Sequence, residues 1–447
     1  PPRMTNRENS MRFLSILFFT LFTYSTAQAQ LRIDVTRGHL EPVPIAVSPL
    51  MGKNADLNRT GREISRVIEA NLNRSGLFRS IDKNAFIEQI SDGNAIPRFA
   101  DWRQINAQAL VTGSIKQAGP DKIQISFRLW DNTIEKQIAG KEFTTFASNW
   151  RRVAHLVSDV IYKRLTGEDG YFDTRIVYVS ESGPAAKRIK RLAIMDQDGA
   201  NHKFLTGGKS LVLTPRFAPS TQDILYMSYR RKVPRVYLRD LQTGMEESVG
   251  RFEGMSFAPR YNHDGTRMVM SIANNGITNL FEMDLRSRRM RQLTRGGGIN
   301  TSPSYSPDGK YLTFESDRGG SQQIYVMRSD GSSVRRISFG DGRYGTPVWS
   351  PRGDLIAFTK IYKGRFYIGV MRTDGSGERL LTESWLDEGP TWSPNGRVIL
   401  FTRQWPSSGS RAGKSRLYSV DVTGVNLREV PTPSDASDPA WSPQLPL

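Results

Sequence analysis

The sequence predicts a small N-terminal α/β domain followed by an all-β, six-bladed propeller that is closed by pairing of its C-terminal strand with the first blade. A Pro-x-aromatic motif recurs six times at a nearly fixed period, beginning at Pro215, Pro259, Pro303, Pro347, Pro390 and Pro439. Upstream of these copies, residues 30–168 lack the repeat and mix strand and helix patterns. A fixed period of about 44 residues is typical of propellers and solenoids. The predicted divisions are residues 1–29 as leader and signal peptide, 30–168 as the α/β domain and 169–447 as the propeller.

The leader has the three parts of a secretory signal peptide. Arg12 supplies positive charge, residues 13–24 are apolar, and Ala27-Gln28-Ala29 is a small-x-small cleavage site. The apolar stretch is shorter than the roughly 20 residues that a spanning helix needs. We therefore expect cleavage near Ala29 and a mature chain that is soluble, does not span a membrane and is located in the bacterial periplasm.

The composition excludes cysteine chemistry and shows a strongly basic chain. The chain has no cysteine, which excludes disulfides, thiolate metal sites and a cysteine nucleophile. Its net charge is +18, and +16 once the three arginines and one glutamate of the leader are removed. A strongly basic chain suggests nucleic acid, but export argues against that partner. Acidic proteins, lipopolysaccharide, cell-wall polymer or simply a basic solvated surface remain open.

The first domain alternates short strands with amphipathic helices. Apolar residues at helical spacing predict helices over 56–74 and 149–167, with Gly167 as a stop signal and 167–173 as the linker. A short helix is expected at 99–106. The predicted strands are 31–38, 43–50, 77–82, 109–117, and a hairpin over 122–131 and 137–146.

Each repeat reads as four short antiparallel strands. The Pro-x-aromatic strand is followed by a turn such as Asp308-Gly309, a β-rich run, a second such run, a hairpin turn such as Asp330-Gly331, and a last short strand. No 3.6-residue spacing appears, which favours a propeller blade over a helical repeat.

Counting the strands predicts how the ring closes. The sixth motif, at Pro439, is followed only by a few residues, while the unit that starts at Thr174 lacks its first strand. The C-terminal strand is therefore expected to complete that first blade, which removes the exposed edges of the sheet.

The order of these parts resembles the TolB family, periplasmic components of the Tol–Pal envelope system. The segments that carry the resemblance are "PIAVSPL", the "PSYSPDGK" and "LDEGPTWSPNG" blades and the terminal "DPAWSPQL". Two blades depart from the pattern, since "FAPSTQD" and "RYNHDG" lack the SPDG turn. The resemblance implies a non-enzymatic scaffold that binds the lipoprotein Pal on the propeller and TolA through the mature N-terminus. It further implies a role in outer-membrane integrity and constriction at cell division, contact with other outer-membrane proteins, no nucleic-acid partner and a monomer on its own.

Two partner sites follow from this interpretation. Loops before the Pro-x-aromatic strands ring one face of the disc, and loops often carry function; as an alternative, they are only tight connections. The candidate Pal residues are Thr214, Phe257, Ala258, Asn300, Thr301, Ser302, Tyr344, Thr346 and Glu388. The candidate TolA residues are Leu31, Arg32, Ile33, Asp34 and Val35, either as a free segment or as a first strand of the α/β domain.

Other motifs do not predict a catalytic, cofactor or metal site. "GDGRYG" at 340–345 is followed by a strand rather than a helix, so it is an inter-blade loop and not a dinucleotide site. The four histidines have no ligand spacing, and Asp196-Gln197-Asp198-Gly199 is a hairpin turn rather than a calcium loop. The recurring aromatics are expected to pack between blades rather than to stack on carbohydrate; they are Tyr261, Tyr305, Trp349, Trp392 and Trp441.

Two alternatives to the scaffold remain from the sequence. One is a propeller hydrolase or lyase that acts on envelope glycan or peptide at the disc centre, which would require converging carboxylates or a histidine in the channel. The other is a basic glycan- or lipid-binding module.

Overall fold

The computed structural model describes residues 30–35, 41–184, 187–230, 233–250, 252, 254–296, 298–408 and 413–446. The predicted signal peptide lies outside the described residues. The α/β domain contains a five-stranded mixed sheet in the order β2-β1-β3-β4-β5, in which β1 pairs in parallel with β2 and β3 and the other pairs are antiparallel. The strands are β1 Val43–Val47, β2 Phe78–Ser80, β3 Ala109–Gln117, β4 Lys122–Asp131 and β5 Lys136–Phe146.

Three α-helices flank this sheet, and their bounds are close to the predicted ones: α1 Ala55–Arg74, α2 Phe99–Gln104 and α3 Trp150–Thr166. The Asn54 side chain caps α1 by accepting from the Leu57 N–H. Gly167 ends α3 in the left-handed conformation, with φ of 79°. Two 3₁₀ turns, Lys83–Ala85 and Ala147–Asn149, complete the helical elements.

The propeller consists of six four-stranded antiparallel sheets, as predicted. Blades two to six run in chain order, each with its first strand innermost. Blade one contributes β6 Arg175–Ser182, β7 Ile189–Asp196 and β8 Lys203–Phe204; blade two β9 Val212–Phe217, β10 Ile224–Ser228, β11 Arg235–Arg239 and β12 Glu246–Ser248; blade three β13 Met255–Tyr261, β14 Arg267–Asn274, β15 Ile277–Asp284 and β16 Met290–Gln292. Blade four has β17 Asn300–Tyr305, β18 Tyr311–Ser316, β19 Gln323–Arg328 and β20 Arg335–Arg336; blade five β21 Arg343–Trp349, β22 Leu355–Tyr362, β23 Arg365–Arg372 and β24 Arg379–Leu380; blade six β25 Leu386–Trp392, β26 Val398–Gln404, β27 Ser415–Asp421 and β28 Arg428–Val430.

The C-terminal strand closes the ring, which confirms the prediction. This strand, β29 Asp435–Trp441, pairs antiparallel with β6 and gives blade one the order β29-β6-β7-β8. The first blade therefore takes its innermost strand from the end of the chain.

The hydrophobic core is divided by blade interface. Five separate clusters each fill the space between two neighbouring blades, from blades one and two to blades five and six. The sixth interface, where blade six meets blade one, shares a single cluster with the α/β domain that includes Tyr162, Phe172 and Trp441. The α/β domain thus packs on the seam at which the ring closes.

Candidate functional site

Every innermost strand of the propeller carries a β-bulge at the same place. The register with the second strand shifts around the proline of the Pro-x-aromatic motif in all six blades. The residue before each proline has positive φ, between 46° and 65°. We call these six residues the bulge ring: Thr214, Ala258, Ser302, Thr346, Gly389 and Asp438.

The structure corrects the expectation that the candidate Pal residues lie in loops. They lie within the innermost strands, which begin three or four residues before the proline and pass through it by means of the bulge. The proline lies within the register shift and is not one of the residues paired with the second strand, so its missing N–H removes no bond from the ladder. Of the nine residues, Asn300, Thr301 and Tyr344 are buried. The other six are partly exposed at one end of the channel: Thr214, Phe257, Ala258, Ser302, Thr346 and Glu388.

Side chains of the preceding blade hold the bulge ring in place. The Thr346 N–H donates to Oε2 of Glu315 at 2.9 Å. The same type of contact joins the Gly389 N–H to Thr359 Oγ1 at 3.3 Å and the Asp438 N–H to Thr402 Oγ1 at 3.1 Å. These bonds satisfy backbone donors that the bulge leaves unpaired. They also join the ring to the adjacent blades.

The bulge ring end of the channel contains the carboxyl groups of Glu388 and Asp438. Burial, reinforced by the nearby Asp438 carboxylate, raises the pKa of Glu388 above its usual value. Burial also raises the pKa of Glu315, although the Thr346 N–H bond opposes this. Such groups favour a partner that brings hydrogen-bond donors or positive charge.

Deeper in the channel, the described lining residues include aromatic residues, prolines and arginines rather than carboxylates. A cavity of about 350 Å³ opens at the end of the innermost strands opposite the bulge ring, and it is lined by aromatic rings and prolines together with His263. A smaller cavity of about 150 Å³ adjoins it and contains Arg216 and Arg260. No carboxylate is among the residues described as lining either cavity.

The recurring aromatics are fixed by the fold. Trp349, Trp392 and Trp441 are each less than a tenth exposed. Their indole N–H groups donate to Gly353 O, Val348 O and Thr174 Oγ1 respectively. Packing between blades accounts for these rings, although their edges also line the larger cavity.

The N-terminal segment, residues 31–35, is packed against the α/β domain but is neither of the two predicted forms. It is not a strand, because the Leu31 N–H donates to Asp131 Oδ2 at 2.9 Å and the Ile33 N–H to Leu165 O at 2.7 Å rather than to a neighbouring strand. It is not free either, because Ile33 and Val35 are buried. Arg397 of blade six donates to Val35 O at 2.5 Å.

Two family models match the chain: the TolB amino-terminal domain over residues 31–138 and the TolB β-propeller domain over residues 162–445. The chain is also 60% identical over 421 residues to the Tol-Pal system protein TolB of Paramagnetospirillum magneticum, with 94% of each chain covered. The chain belongs to the TolB family.

A solved structure agrees with the TolB fold. The crystal structure of TolB from Acinetobacter baumannii superposes with a TM-score of 0.80 at 30% identity, covering 93% of this chain and all of that one. In the part of the chain that the structure describes, none of the helices has the length and apolar character needed to cross a membrane.

In this TolB-family chain, the structure also assembles a polar cluster that sequence spacing did not indicate. His155 of α3 lies with Asp196 and Asp198 of blade one, with ligand atoms within 4.8 Å of one another. The Asn71 amide donates to His155 Nδ1 at 2.9 Å, so the Nε2–H faces the two carboxylates at 3.7 and 4.0 Å. These are the residues among those described that could hold a metal ion.

Arg151 supplies the positive charge that a metal ion would otherwise bring to this cluster. Its guanidinium is hydrogen-bonded to Asp198 and lies 3.9 Å from Asp196, so a positive charge already compensates the carboxylates. Arg151 also lowers the pKa of Asp198, as does His155, against the effect of burial. The cluster therefore joins the α/β domain to blade one as an ion-pair network.

Proposed function

We propose that this chain is a non-enzymatic, periplasmic scaffold of the Tol–Pal system. In this proposal it binds the lipoprotein Pal at the bulge ring and TolA through Leu31–Val35, and so supports outer-membrane integrity and constriction at division. Family membership supports the assignment to the Tol–Pal system. The single observation that carries the Pal site is the bulge ring, a set of backbone bulges at positive φ with one from every blade and with the carboxyl groups of Glu388 and Asp438 beside it.

The bulge ring suits a protein partner for physical reasons. Non-glycine residues with positive φ are uncommon, and β-branched ones such as Thr214 and Thr346 are conformational outliers. Such strain concentrates at binding sites because the surrounding structure maintains it. The Thr214 hydroxyl is buried and has no hydrogen-bond partner among the described residues, which adds a further local cost to the ring.

The Pal site is tested by blocking the bulge ring. Ala258 is partly exposed and has no polar side chain, so Ala258→Arg adds bulk and charge without removing a contact. We expect it to weaken the binding of purified soluble Pal at least about a hundredfold in calorimetry, a loss in the range of an interface hot spot. Thr346→Arg, in a different blade, should do the same. The matched control is Gln242→Arg, on an exposed outer turn of blade two.

Two results would count against this site. One is unchanged Pal affinity in both ring variants with an unchanged melting temperature. The other is an equal loss in Gln242→Arg, which would point to general charge rather than to the ring.

The TolA segment is proposed to act by release from its packed position. Its backbone bonds to Asp131 and Leu165 leave a short extended chain that could instead pair with the edge of a partner sheet. Release has a cost, since Ile33 is only 6% exposed. Ile33→Ala should lower that cost and tighten binding of the soluble part of TolA, while deletion of residues 31–35 should abolish it. Unaltered binding after deletion would exclude the segment.

A further inference from the structure

The middle of the propeller channel is lined by one residue from each blade. These are the residues between the proline and the aromatic of each motif, and all six line the cavity of about 150 Å³. We call them the channel ring: Arg216, Arg260, Ser304, Val348, Thr391 and Ala440. The two arginines come from adjacent blades, and Ser304 and Thr391 add hydroxyl groups. The ring therefore offers hydrogen-bond donors without a carboxylate.

These arginines differ from the other enclosed arginines of the propeller. Arg397 is paired with Asp421 at 2.6 Å and Arg403 with Asp387 at 2.7 Å. The Arg260 side chain has no ion pair and no hydrogen bond among the described residues, and its backbone pairs with Val269 in the sheet. Arg216 donates only to its neighbouring carbonyl, Pro215 O, at 2.6 Å. Both arginines are partly exposed to the channel, and two neighbouring like charges without a paired carboxylate favour the binding of an anion.

The pKa shifts of the two arginines agree with the absence of a paired anion. Burial lowers the pKa of Arg260 well below its usual value, and the Arg216 charge lowers it further. Burial also lowers the pKa of Arg216, and the Asp438 carboxylate of the bulge ring opposes that effect from a distance. Asp438 already accepts the Thr214 N–H at 3.4 Å. The pair thus keeps a net positive field in the channel.

We propose that the channel ring is an oxyanion site in which Arg216 and Arg260 together bind one phosphate group. Guanidinium groups match phosphate oxygens in a planar, two-point geometry, which explains two arginines side by side. The Ser304 hydroxyl accepts the backbone N–H of Trp349 at 3.2 Å, so the hydroxyl hydrogen of Ser304 is free to donate into the ring.

The route of entry is set by the two ends of the channel. The bulge ring end has the carboxylates of Glu388 and Asp438, which repel an anion. The opposite end is the cavity of about 350 Å³ lined by Tyr261, Tyr305 and Trp349, which has room for a planar group attached to the phosphate. The phosphate group could thus be free phosphate or part of a larger molecule, and it is reached from the side opposite the proposed Pal site.

The experiment uses the full mature chain and inorganic phosphate at constant ionic strength. Calorimetric titration should give saturable binding at one phosphate per chain. Arg260→Gln and Arg216→Gln should each weaken it by about tenfold or more, the effect of losing one charge-assisted contact. Arg62→Gln, which removes the same charge from the exposed face of α1, should stay within about twofold.

A second readout separates the site from a fold defect. In buffer without phosphate, Arg260→Gln should melt no lower than the wild type, because it removes one of two neighbouring like charges in the channel. Phenyl phosphate that binds more tightly than phosphate assigns the site to a larger molecule, while equal affinity assigns it to the free ion. Absence of saturable binding in the wild type, or an equal loss in Arg62→Gln, would overturn the proposal.

Discussion

The indole N–H of Trp441 donates to Oγ1 of Thr174 at 2.8 Å, across 267 positions of sequence. Trp441 ends the closing strand and Thr174 precedes the strand with which it pairs. The ring of Trp441 also packs edge-on against Tyr171 of the linker, with centroids 5.7 Å apart. One side chain therefore connects the C-terminal strand, the first blade and the α/β domain.

Loss of this contact should destabilise the whole chain. Trp441→Ala should lower the free energy of unfolding by about 3–5 kcal/mol, the range for buried large-to-small changes. The control is Trp405→Ala, since Trp405 is 39% exposed, and it should cost less than about 1 kcal/mol. Urea denaturation measures both. Deletion of residues 439–447 should open the ring, and a truncated chain that melts like the full one would contradict closure by β29.

The bulge ring should depend on its inter-blade acceptors. Glu315→Ala removes the acceptor of the Thr346 N–H and should cost about 1–3 kcal/mol, because a buried donor is left unpaired. Glu383→Ala is the control. Glu383 forms an exposed ion pair with Arg365, and such pairs contribute about 0–1 kcal/mol. Equal losses in chemical denaturation would show that the bulge does not need Glu315.

The junction between the domains should be sensitive to Asn71. Its buried amide binds His155 and Ser158 of α3, and its oxygen accepts from Gln197 of blade one at 3.0 Å. Asn71→Ala should cost about 2–4 kcal/mol by leaving these groups unpaired. Asn73→Ala, on the exposed side of the same helix, should cost less than about 1 kcal/mol.

A second measurement on the junction variants concerns cooperativity. The core shared by the two domains predicts a single unfolding transition for the wild type. Calorimetry of Asn71→Ala should show a broader or divided transition. A sharp single transition at the wild-type temperature would contradict the role given to Asn71.

The linker should make stability depend on pH. Asp159 accepts the N–H groups of Phe172 at 2.8 Å and Asp173 at 3.0 Å, and burial raises its pKa to about 7. Because the folded pKa lies above the unfolded value of 3.8, the native state binds more protons between pH 4 and 7. The contribution of this group to stability therefore falls as pH rises through that window, by no more than about 4 kcal/mol.

Asp159→Asn should remove this dependence. The stability of the variant relative to the wild type should increase from pH 4 to pH 7.5 in urea titrations. Asp169→Asn is the control, because Asp169 forms a solvent-exposed ion pair with Lys163. A difference between Asp159→Asn and wild type that stays constant with pH would contradict the assignment.

Periodicity made most of the fold predictable. Blade number, ring closure and the positions of α1 and α3 follow from repeat spacing and apolar patterns that depend on local sequence. The segment 31–38 was expected as a strand because its apolar residues alternate. In the described part, residues 31–35, the backbone donors of Leu31 and Ile33 instead bind Asp131 and Leu165, long-range contacts that alternation does not reveal.

The candidate site was only partly predictable. Proline usually marks the start of a strand, so the innermost strands were expected to begin there. The innermost strands continue past the proline through bulges that place threonine, alanine, serine and aspartate at positive φ. These residue types rarely adopt positive φ, so the sequence does not predict the bulges. The Arg216–Arg260 neighbourhood and the cluster around His155 depend on which blades and helices meet. Those contacts arise from the tertiary structure.

Closure by β29 also sets an order of events for a newly made chain. Blade one presents an unpaired inner edge along β6 until residues 435–441 arrive, and all other blades are complete before that moment. A chain that emerges N-terminus first thus carries an open, aggregation-prone strand from the synthesis of β6 until the other five blades have been made. The propeller closes only when β29 pairs with β6. The time during which the open edge can pair wrongly therefore depends on how quickly the last residues of the chain are synthesised.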